Sequence, residues 1–377
     1  MDSVLNILIF HIGSLGDTLV SVPAVRAVRE HFEKARITLL SDTRIGGNYV
    51  QAREVLDGSG LIDDWMTYPV ANSAAGGLLK PLWMLRLLAE LRLRRFDTLV
   101  YLVGSRRSDV RVSRDAAFFR LAGIGRMIGT RGFYRFPVRG NGRPLPRVPH
   151  QSDQILARLA FDKIPTGFSC NGKMGIRTVL PDDEGVDAWL QDMPTDGGRS
   201  WIGVGPGSKM PSKRWPNGRY AALISRLIDE CDVWPVVFGG PEDEMLGRSL
   251  VEKWGRGYAA AGKLNIRQGI AALKRCRLYI GNDTGTMHMA VAAGCRCVAL
   301  FSARDYPGNW YPYGSGHVIF RTQMPCEGCL LESCDPAGSA CLLSINVDEV
   351  FYACSNILSR SEPNLGAGNE QTAKEGA

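Results

Sequence analysis

The residues best suited to chemistry lie in one stretch of the C-terminal third of the chain. Residues 278–301 read as a buried strand, a polar turn, a helix of small residues and a second apolar strand. In an open parallel sheet a ligand binds beyond the carboxyl end of a strand, where the next helix points its free N–H groups at an anion. We therefore predict an anion site in this turn, with Asp283 and His288 at its mouth and with Thr284 and Gly285 letting a phosphate approach the backbone. The alternative is that Asp283 only caps the helix and that His288 only packs.

A second glycine-containing turn follows the first predicted strand. Residues 6–12 form a short apolar run, residues 13–17 read Gly-Ser-Leu-Gly-Asp, and residues 18–32 have helical periodicity before a second strand at 36–40. This order predicts the βαβ start of a doubly wound domain. The turn lacks the G-x-G-x-x-G of dinucleotide-binding proteins, which argues against a nicotinamide or flavin enzyme. Taken alone, Asp17 reads as a helix N-cap.

The composition is that of a soluble globular protein with room for two domains. The chain has 377 residues, of which 45% are hydrophobic and 22% are charged. No apolar run approaches the ~18 residues that span a bilayer, and the N-terminus has no basic segment of the kind that begins a signal peptide. We therefore predict a cytoplasmic protein.

The positive charge is concentrated in one segment. Residues 105–147 contain 11 Arg, no Lys and two Asp, so their net charge of +9 exceeds the +7 of the whole chain. Guanidinium groups recognise phosphate and carboxylate through paired hydrogen bonds, which favours an anionic ligand for this segment. A solvated basic face is the alternative.

Four of the ten cysteines cluster near the C-terminus. Cys326, Cys329, Cys334 and Cys341 have the spacing C-x2-C-x4-C-x6-C, which suits tetrahedral zinc or iron. Reduced free thiols and disulfides are the alternatives. The other six are scattered, as expected of small buried hydrophobic residues.

Three motifs together carry a resemblance to a known family. Residues 283–288 read D-T-G-x-x-H before a small-residue helix, residues 13–17 read G-x-x-G-D, and residues 213–216 read Lys-Arg-Trp-Pro. In these features the chain resembles glycosyltransferase family 9, the heptosyltransferases that build the lipopolysaccharide core. The resemblance runs in order from about residue 6 to residue 356.

The resemblance implies an α/β fold of the GT-B architecture, two Rossmann-like doubly wound domains facing a cleft. Residues 1–175 would form an N-terminal acceptor-binding domain, and residues 185–356 a C-terminal domain that binds the nucleotide sugar and carries the cysteine cluster at 326–341. The interdomain linker would lie near residues 175–185. The polar tail, residues 361–377, is expected to be disordered.

The resemblance also assigns roles to residues. Asp17 matches the catalytic base, and Lys213 matches the cation that faces the diphosphate. Glu244, for which Glu242 could substitute, would hold the ribose hydroxyls, and Leu264 would contact the base. The full donor set is Ser208, Glu244, Leu264, Asp283, Thr284, Gly285 and His288.

The implied activity is an inverting transfer of a sugar, expected to be heptose, from an ADP-sugar to an acceptor like the lipopolysaccharide core. Catalysis would require no cofactor, although the cysteines could hold structural zinc or iron. Arg106 and Arg107 are candidates for contact with an anionic glycolipid acceptor, with peripheral contact at the inner membrane left open and no nucleic-acid partner. The alternatives are another nucleotide sugar, a protein acceptor, or a non-catalytic protein that binds nucleotide sugars or polyanions.

Overall fold

The computed structural model describes residues 4–44, 49–70, 74–138, 144–166, 174–334 and 339–360, with only the backbone described at 74–80. The chain divides into two compact units. The first comprises the residues up to Phe136 together with Pro149–Met174, and the second comprises Pro137–Val148 and the chain from Gly175 onwards. Each unit is a parallel sheet flanked by helices, so the predicted pair of Rossmann-like domains is confirmed.

The sheet of the first unit has five parallel strands in the order β3-β2-β1-β4-β5. The strands are β1 (Asn6–His11), β2 (Arg36–Arg44), β3 (Asp64–Val70), β4 (Thr98–Leu102) and β5 (Arg126–Ile128). The helices are α1 (Leu15–His31), α2 (Ala52–Leu56), α3 (Ala74–Arg94), α4 (Asp109–Leu121) and α5 (Gln151–Phe161). Strand order reverses between β1 and β4, and a doubly wound sheet binds ligands at that point. The Gly13–Asp17 turn therefore lies at the switch point.

The central strands are apolar on both sides because helices cover both faces of the sheet. Ile7, Leu8 and Ile9 of β1 are fully buried. On one face, α3 and α4 pack against the strands in a cluster that includes Phe10, Leu91 and Phe119. This packing holds the turn after β1 on a rigid base.

The sheet of the second unit has six parallel strands in the order β11-β10-β9-β6-β7-β8. They are β6 (Trp201–Gly205), β7 (Trp234–Val237), β8 (Tyr258–Ala259), β9 (Cys276–Asn282), β10 (Cys297–Phe301) and β11 (Val318–Arg321). The helices are α6 (Leu180–Leu190), α7 (Asn217–Cys231), α8 (Glu244–Trp254), α9 (Ile266–Lys274), α10 (Gly285–Ala292), α11 (Ala340–Leu343) and α12 (Val347–Leu358). Its order reverses between β6 and β9, so the loops after these two strands meet at the switch point.

Several segments differ from the sequence-based expectation. Helix α6 begins inside the predicted linker, because Asp182 pairs with Arg267 of α9 at 2.8 Å and ties this helix to the second unit. Helix α4 occupies part of the arginine-rich segment, and residues 137–148 belong to the second unit. The predicted disordered tail lies outside the described residues. Among the described helices, none is long and apolar enough to cross a membrane.

Candidate functional site

The switch point of the second unit is organised by Asn282, the last residue of β9. Its side chain is fully buried. Its Oδ1 accepts hydrogen bonds from the Trp215 N–H at 3.1 Å and from the Tyr220 hydroxyl at 3.0 Å, and its Nδ2 donates to the Pro206 carbonyl at 2.7 Å. One carboxamide thus joins the loop after β6, the start of α7 and the end of β9. The sequence analysis did not single out Asn282, although its place before Asp283 at a strand end was a usable signal.

Lys213 and Asp283, which were predicted separately, form an ion pair at this switch point. Lys213 ends a short 3-10 turn, Pro211–Lys213, and its Nζ lies 2.6 Å from Asp283 Oδ2. Both side chains are largely buried, at 15% and 7% exposure. A buried charge is stable only with a partner, so each of these groups holds the other in place. Asp283 is not the cap of α10, because Thr284 occupies that position.

The first turn of α10 presents hydroxyl groups beside this ion pair. Thr286 Oγ1 is hydrogen-bonded to the Tyr279 hydroxyl at 2.8 Å and to Thr284 Oγ1 at 3.0 Å. A Cβ at Gly205 or Gly281 would collide with the Tyr279 hydroxyl, so both positions require glycine. Glycines at the ends of β6 and β9 therefore make room for the Tyr279 hydroxyl, which bonds to the first turn of α10.

His288 lies on α10 with 2% of its surface exposed. Its ring centroid is 6.1 Å from that of Trp310. Burial, and secondarily the nearby Lys213 ammonium, lower the pKa of His288 to about 3. The imidazole is therefore neutral at physiological pH, so it can hydrogen-bond a ligand without adding positive charge.

The other predicted donor residues lie around the loops after β6 and β7. Ser208 is buried, and its Oγ accepts the Met210 N–H at 3.2 Å. Glu244 begins α8, pairs with Arg248, and lies 2.8 Å from Lys263 Nζ, which together with Arg248 lowers the pKa of the carboxyl. Leu264 is half-buried and follows Lys263 directly in the chain. The ion pair with Lys263 thus brings Glu244 and Leu264 to neighbouring segments, and their contact with a nucleoside stays a prediction.

Asp243 is an acidic residue that the sequence analysis missed. Its Oδ2 accepts the Gly240 N–H at 3.2 Å, and a Cβ at Gly207 or Gly239 would collide with its carboxylate. Burial, and secondarily the charge of Glu242, raise the pKa of Asp243. Two glycines in different loops therefore make room for one carboxyl group, a relation that no single stretch of sequence shows.

In the first unit, Asp17 lies in the first turn of α1. Its Oδ2 accepts the Ser14 N–H at 3.2 Å, and the carboxylate is half-buried. Gly13 has φ 137°, a conformation that favours glycine, and a Cβ there would collide with Asp17. The Gly13 N–H donates to Asp42 Oδ1 at 3.1 Å, which anchors the turn to β2. The N-cap of α1 is Ser14, so the reading of Asp17 as the N-cap is wrong; Asp17 is the third residue of the helix and bonds back to the cap. The turn itself follows the end of β1, as predicted.

The two acceptor candidates have different surroundings. Arg107 is paired with the buried Asp115 and donates from Nε to the Tyr101 hydroxyl at 3.1 Å. Tyr101 in turn donates to Asp115 at 2.7 Å. Arg106 is exposed, with its guanidinium carbon 4.9 Å from the Phe136 ring centroid. Arg107 therefore stabilises the fold after β4, and Arg106 is the better placed of the two to meet a ligand.

The four clustered cysteines have unequal exposure. Cys326 is exposed, Cys329 and Cys334 are half-buried, and Cys341 is buried; all four are free thiols. Among the described residues, no group of three or more His, Cys, Asp or Glu side chains could hold a metal ion. Within the described residues the four thiols are therefore not gathered into one metal site. A structural metal remains a prediction, which elemental analysis of protein purified without chelators tests.

The fold and its polar loops define an α/β protein of two Rossmann-like domains whose polar side chains gather at the switch points. Comparison with known proteins gives the family. The family model described as glycosyltransferase family 9 (heptosyltransferase) matches residues 84–338, and the chain belongs to this family.

Relatives with curated names agree with this family. Lipopolysaccharide heptosyltransferase 2 of Salmonella typhimurium is 26% identical over 317 residues, which is 79% of this chain and 82% of the relative. The protein of the same name from Escherichia coli K12 is 29% identical over 235 residues, 56% of this chain and only 61% of the relative. The solved structure of E. coli ADP-heptose lps heptosyltransferase II has a TM-score of 0.68 at 19% identity, covering 94% of this chain and 98% of that one. This likeness confirms the predicted GT-B class of fold.

The ion pair at the second switch point gives a direct prediction. Lys213→Ala should weaken ADP binding by about 10- to 100-fold, since a charge-assisted hydrogen bond contributes roughly 1.5–3 kcal/mol. It should also lower kcat, because the charge that Lys213 faces grows in the transition state. Calorimetry and steady-state kinetics measure the two effects. Lys253→Ala, which removes an exposed lysine of α8 in the same unit, is the matched control. Unchanged ADP affinity and kcat in Lys213→Ala would exclude this role.

Proposed function

We propose that this chain transfers a heptose from ADP-heptose to an acceptor like the lipopolysaccharide core, with inversion at the anomeric carbon. Family membership supports glycosyl transfer. The names of the relatives supply the sugar and the pathway: they are lipopolysaccharide heptosyltransferases, and one solved structure is of an ADP-heptose enzyme. In this proposal the protein acts in the cytoplasm, where nucleotide sugars are available, and requires no cofactor for catalysis.

The observation that carries the proposal is the pair Lys213–Asp283 beside the start of α10. In this scheme the donor diphosphate takes the Lys213 ammonium, the Thr284 and Gly285 backbone, and the positive end of the α10 dipole. Asp283 then shares Lys213 with the diphosphate, and its carboxylate accepts hydrogen bonds from sugar hydroxyls. These groups stabilise the charge that develops on the leaving diphosphate.

The acceptor side of the reaction is assigned to Asp17 of the first unit. In a single displacement the acceptor oxygen attacks the anomeric carbon, the bond from that carbon to the diphosphate oxygen breaks, and Asp17 takes the acceptor proton. Two features support this role. The turn that precedes Asp17 is anchored to β2 by the bond from the Gly13 N–H to Asp42, and Asp17 is only half-buried.

Asp17→Asn separates catalysis from helix capping. The amide keeps the size of the side chain and an oxygen for the Ser14 N–H but cannot take a proton, so kcat should fall by about 10²-fold or more. ADP affinity should stay unchanged, because the donor residues are in the second unit. Glu54→Gln is the control, since Glu54 makes the same type of capping bond to the Gln51 N–H at 2.7 Å in α2. Normal turnover in Asp17→Asn would overturn the assignment.

The acceptor is proposed to be an anionic glycolipid at the inner membrane surface. Exposed arginines on and before α4, including Arg106 and Arg111, supply positive charge in the first unit. Helix α3 leaves Leu85 and Leu93 at 63% and 81% exposure, with Arg86 and Arg92 also exposed. A face that combines leucine and arginine is suited to peripheral contact with anionic lipid.

The acceptor proposal predicts a salt-dependent KM. Arg106→Gln/Arg111→Gln should raise the acceptor KM several-fold at low salt, with a smaller difference at high salt because exposed charges are screened. The donor KM should not change. Arg36→Gln/Arg126→Gln is the control, since it removes the same charge from the first residues of β2 and β5, at the opposite edge of the sheet. An acceptor KM that is independent of salt in every protein would point to a neutral acceptor, such as a peptide hydroxyl.

A further inference from the structure

The four clustered cysteines lie in two described parts of the chain, residues 326–334 and 339–341, which we call the cysteine-bearing segment. Ser212, the residue before Lys213, is bound to this segment. The Ser212 N–H donates to the Glu332 carbonyl at 3.1 Å, and its Oγ donates to the Leu331 carbonyl at 2.7 Å. The Ser212 carbonyl accepts a hydrogen bond from Ser339 Oγ at 3.3 Å. Leu331 and Glu332 lie between Cys329 and Cys334, and Ser339 lies two residues before Cys341. All three polar groups of Ser212 are therefore bonded to this segment.

The segment is itself fixed to the loop after β10. The Gly328 N–H donates to the Ala303 carbonyl at 2.8 Å, and the Leu330 N–H donates to the Arg304 carbonyl at 3.0 Å. Arg304 Nε donates back to the Leu331 carbonyl at 2.8 Å. The segment can therefore act as a support whose position does not depend on the Lys213 turn.

Direct hydrogen bonds hold the turn to this support. A pocket of about 160 Å³ lies beside this contact and is lined by Pro211 and Arg214 on one side and by Cys334 and Leu342 on the other. The turn has little stability of its own, because a single 3-10 turn has weak hydrogen-bond geometry. Its two backbone hydrogen bonds join the Lys213 N–H to the Met210 carbonyl at 3.0 Å and the Arg214 N–H to the Pro211 carbonyl at 3.1 Å.

We propose that the cysteine-bearing segment positions Lys213 for the donor diphosphate, and that Ser212 is the positioning residue through which it acts. This inference rests on the proposed function. It gives the segment a role that does not depend on metal binding: to hold the Lys213 backbone so that Nζ stays at the switch point. The helix side of the turn is held separately, by the Asn282 bond to the Trp215 N–H.

The test uses Ser212→Ala/Ser339→Ala, which removes two of the three hydrogen bonds and leaves the Ser212 N–H bond intact. The peptide that covers residues 212–215 should exchange its amide hydrogens about 10-fold faster. The Kd for ADP, measured by calorimetry, should rise about 10-fold. In a Lys213→Ala background the same pair should change the Kd by less than about twofold, because residues that act through one group are not additive.

Ser344→Ala is the matched control. Ser344 lies just after α11, and its Oγ donates to Thr322 Oγ1 at 2.7 Å and to the Cys341 carbonyl at 2.9 Å, away from the turn. This variant should lower the melting temperature by a similar amount yet leave exchange of the turn and ADP affinity unchanged. A merely structural role for Ser212 predicts the same result for both variants.

Each failure has a separate meaning. Unchanged exchange at 212–215 in the double variant overturns the support itself. Faster exchange with unchanged ADP affinity overturns its role in positioning Lys213. If the wild-type protein bound neither ADP nor an ADP-sugar, the proposed donor would be wrong, and the exchange measurement would still decide whether the segment supports the turn.

Discussion

The switch point of the second unit depends on the hydrogen bonds of one buried carboxamide. Asn282 joins the loop after β6, the start of α7 and its own strand through bonds to Pro206, Trp215 and Tyr220. An apolar residue of similar size would leave these buried groups without partners, each at a cost of roughly 1–3 kcal/mol. Because Asp283 follows Asn282 in the chain and Lys213 precedes Trp215 by two residues, the same bonds set the distance across which the ion pair forms.

The charge balance at this switch point suits an anionic ligand. The charges of Lys213 and Asp283 cancel in the ion pair, and His288 is neutral because burial and Lys213 lower its pKa. In the proposed reaction a diphosphate would therefore meet one cation that is already largely buried and a helix N-terminus. Such preorganisation lowers the cost of rearranging charges when the leaving group forms.

Local patterns predicted the strand, turn and helix within 278–293 and the βαβ start at 6–40, because apolar periodicity and glycine positions are properties of neighbouring residues. They could not predict the bonds of Asn282, whose carbonyl partner lies 76 positions away. Helix α6 was missed for a similar reason, since its place is set by the ion pair with Arg267 of α9. Arg107 looked like a free cation in the sequence, and only the fold brings it to Asp115 and Tyr101.

Motifs identify the groups that meet a ligand but not the groups that hold them in place. Lys213 is recognisable in Lys-Arg-Trp-Pro, whereas its supports include the backbone carbonyls of Leu331 and Glu332 and the backbone N–H of Trp215. Any residue other than proline can supply both a backbone N–H and a backbone carbonyl, so such contacts cannot be recognised from the types of the side chains. They depend instead on the path that the backbone takes in the fold. A variant with every motif residue intact could therefore lose donor affinity through a change in the cysteine-bearing segment that shifts only its backbone.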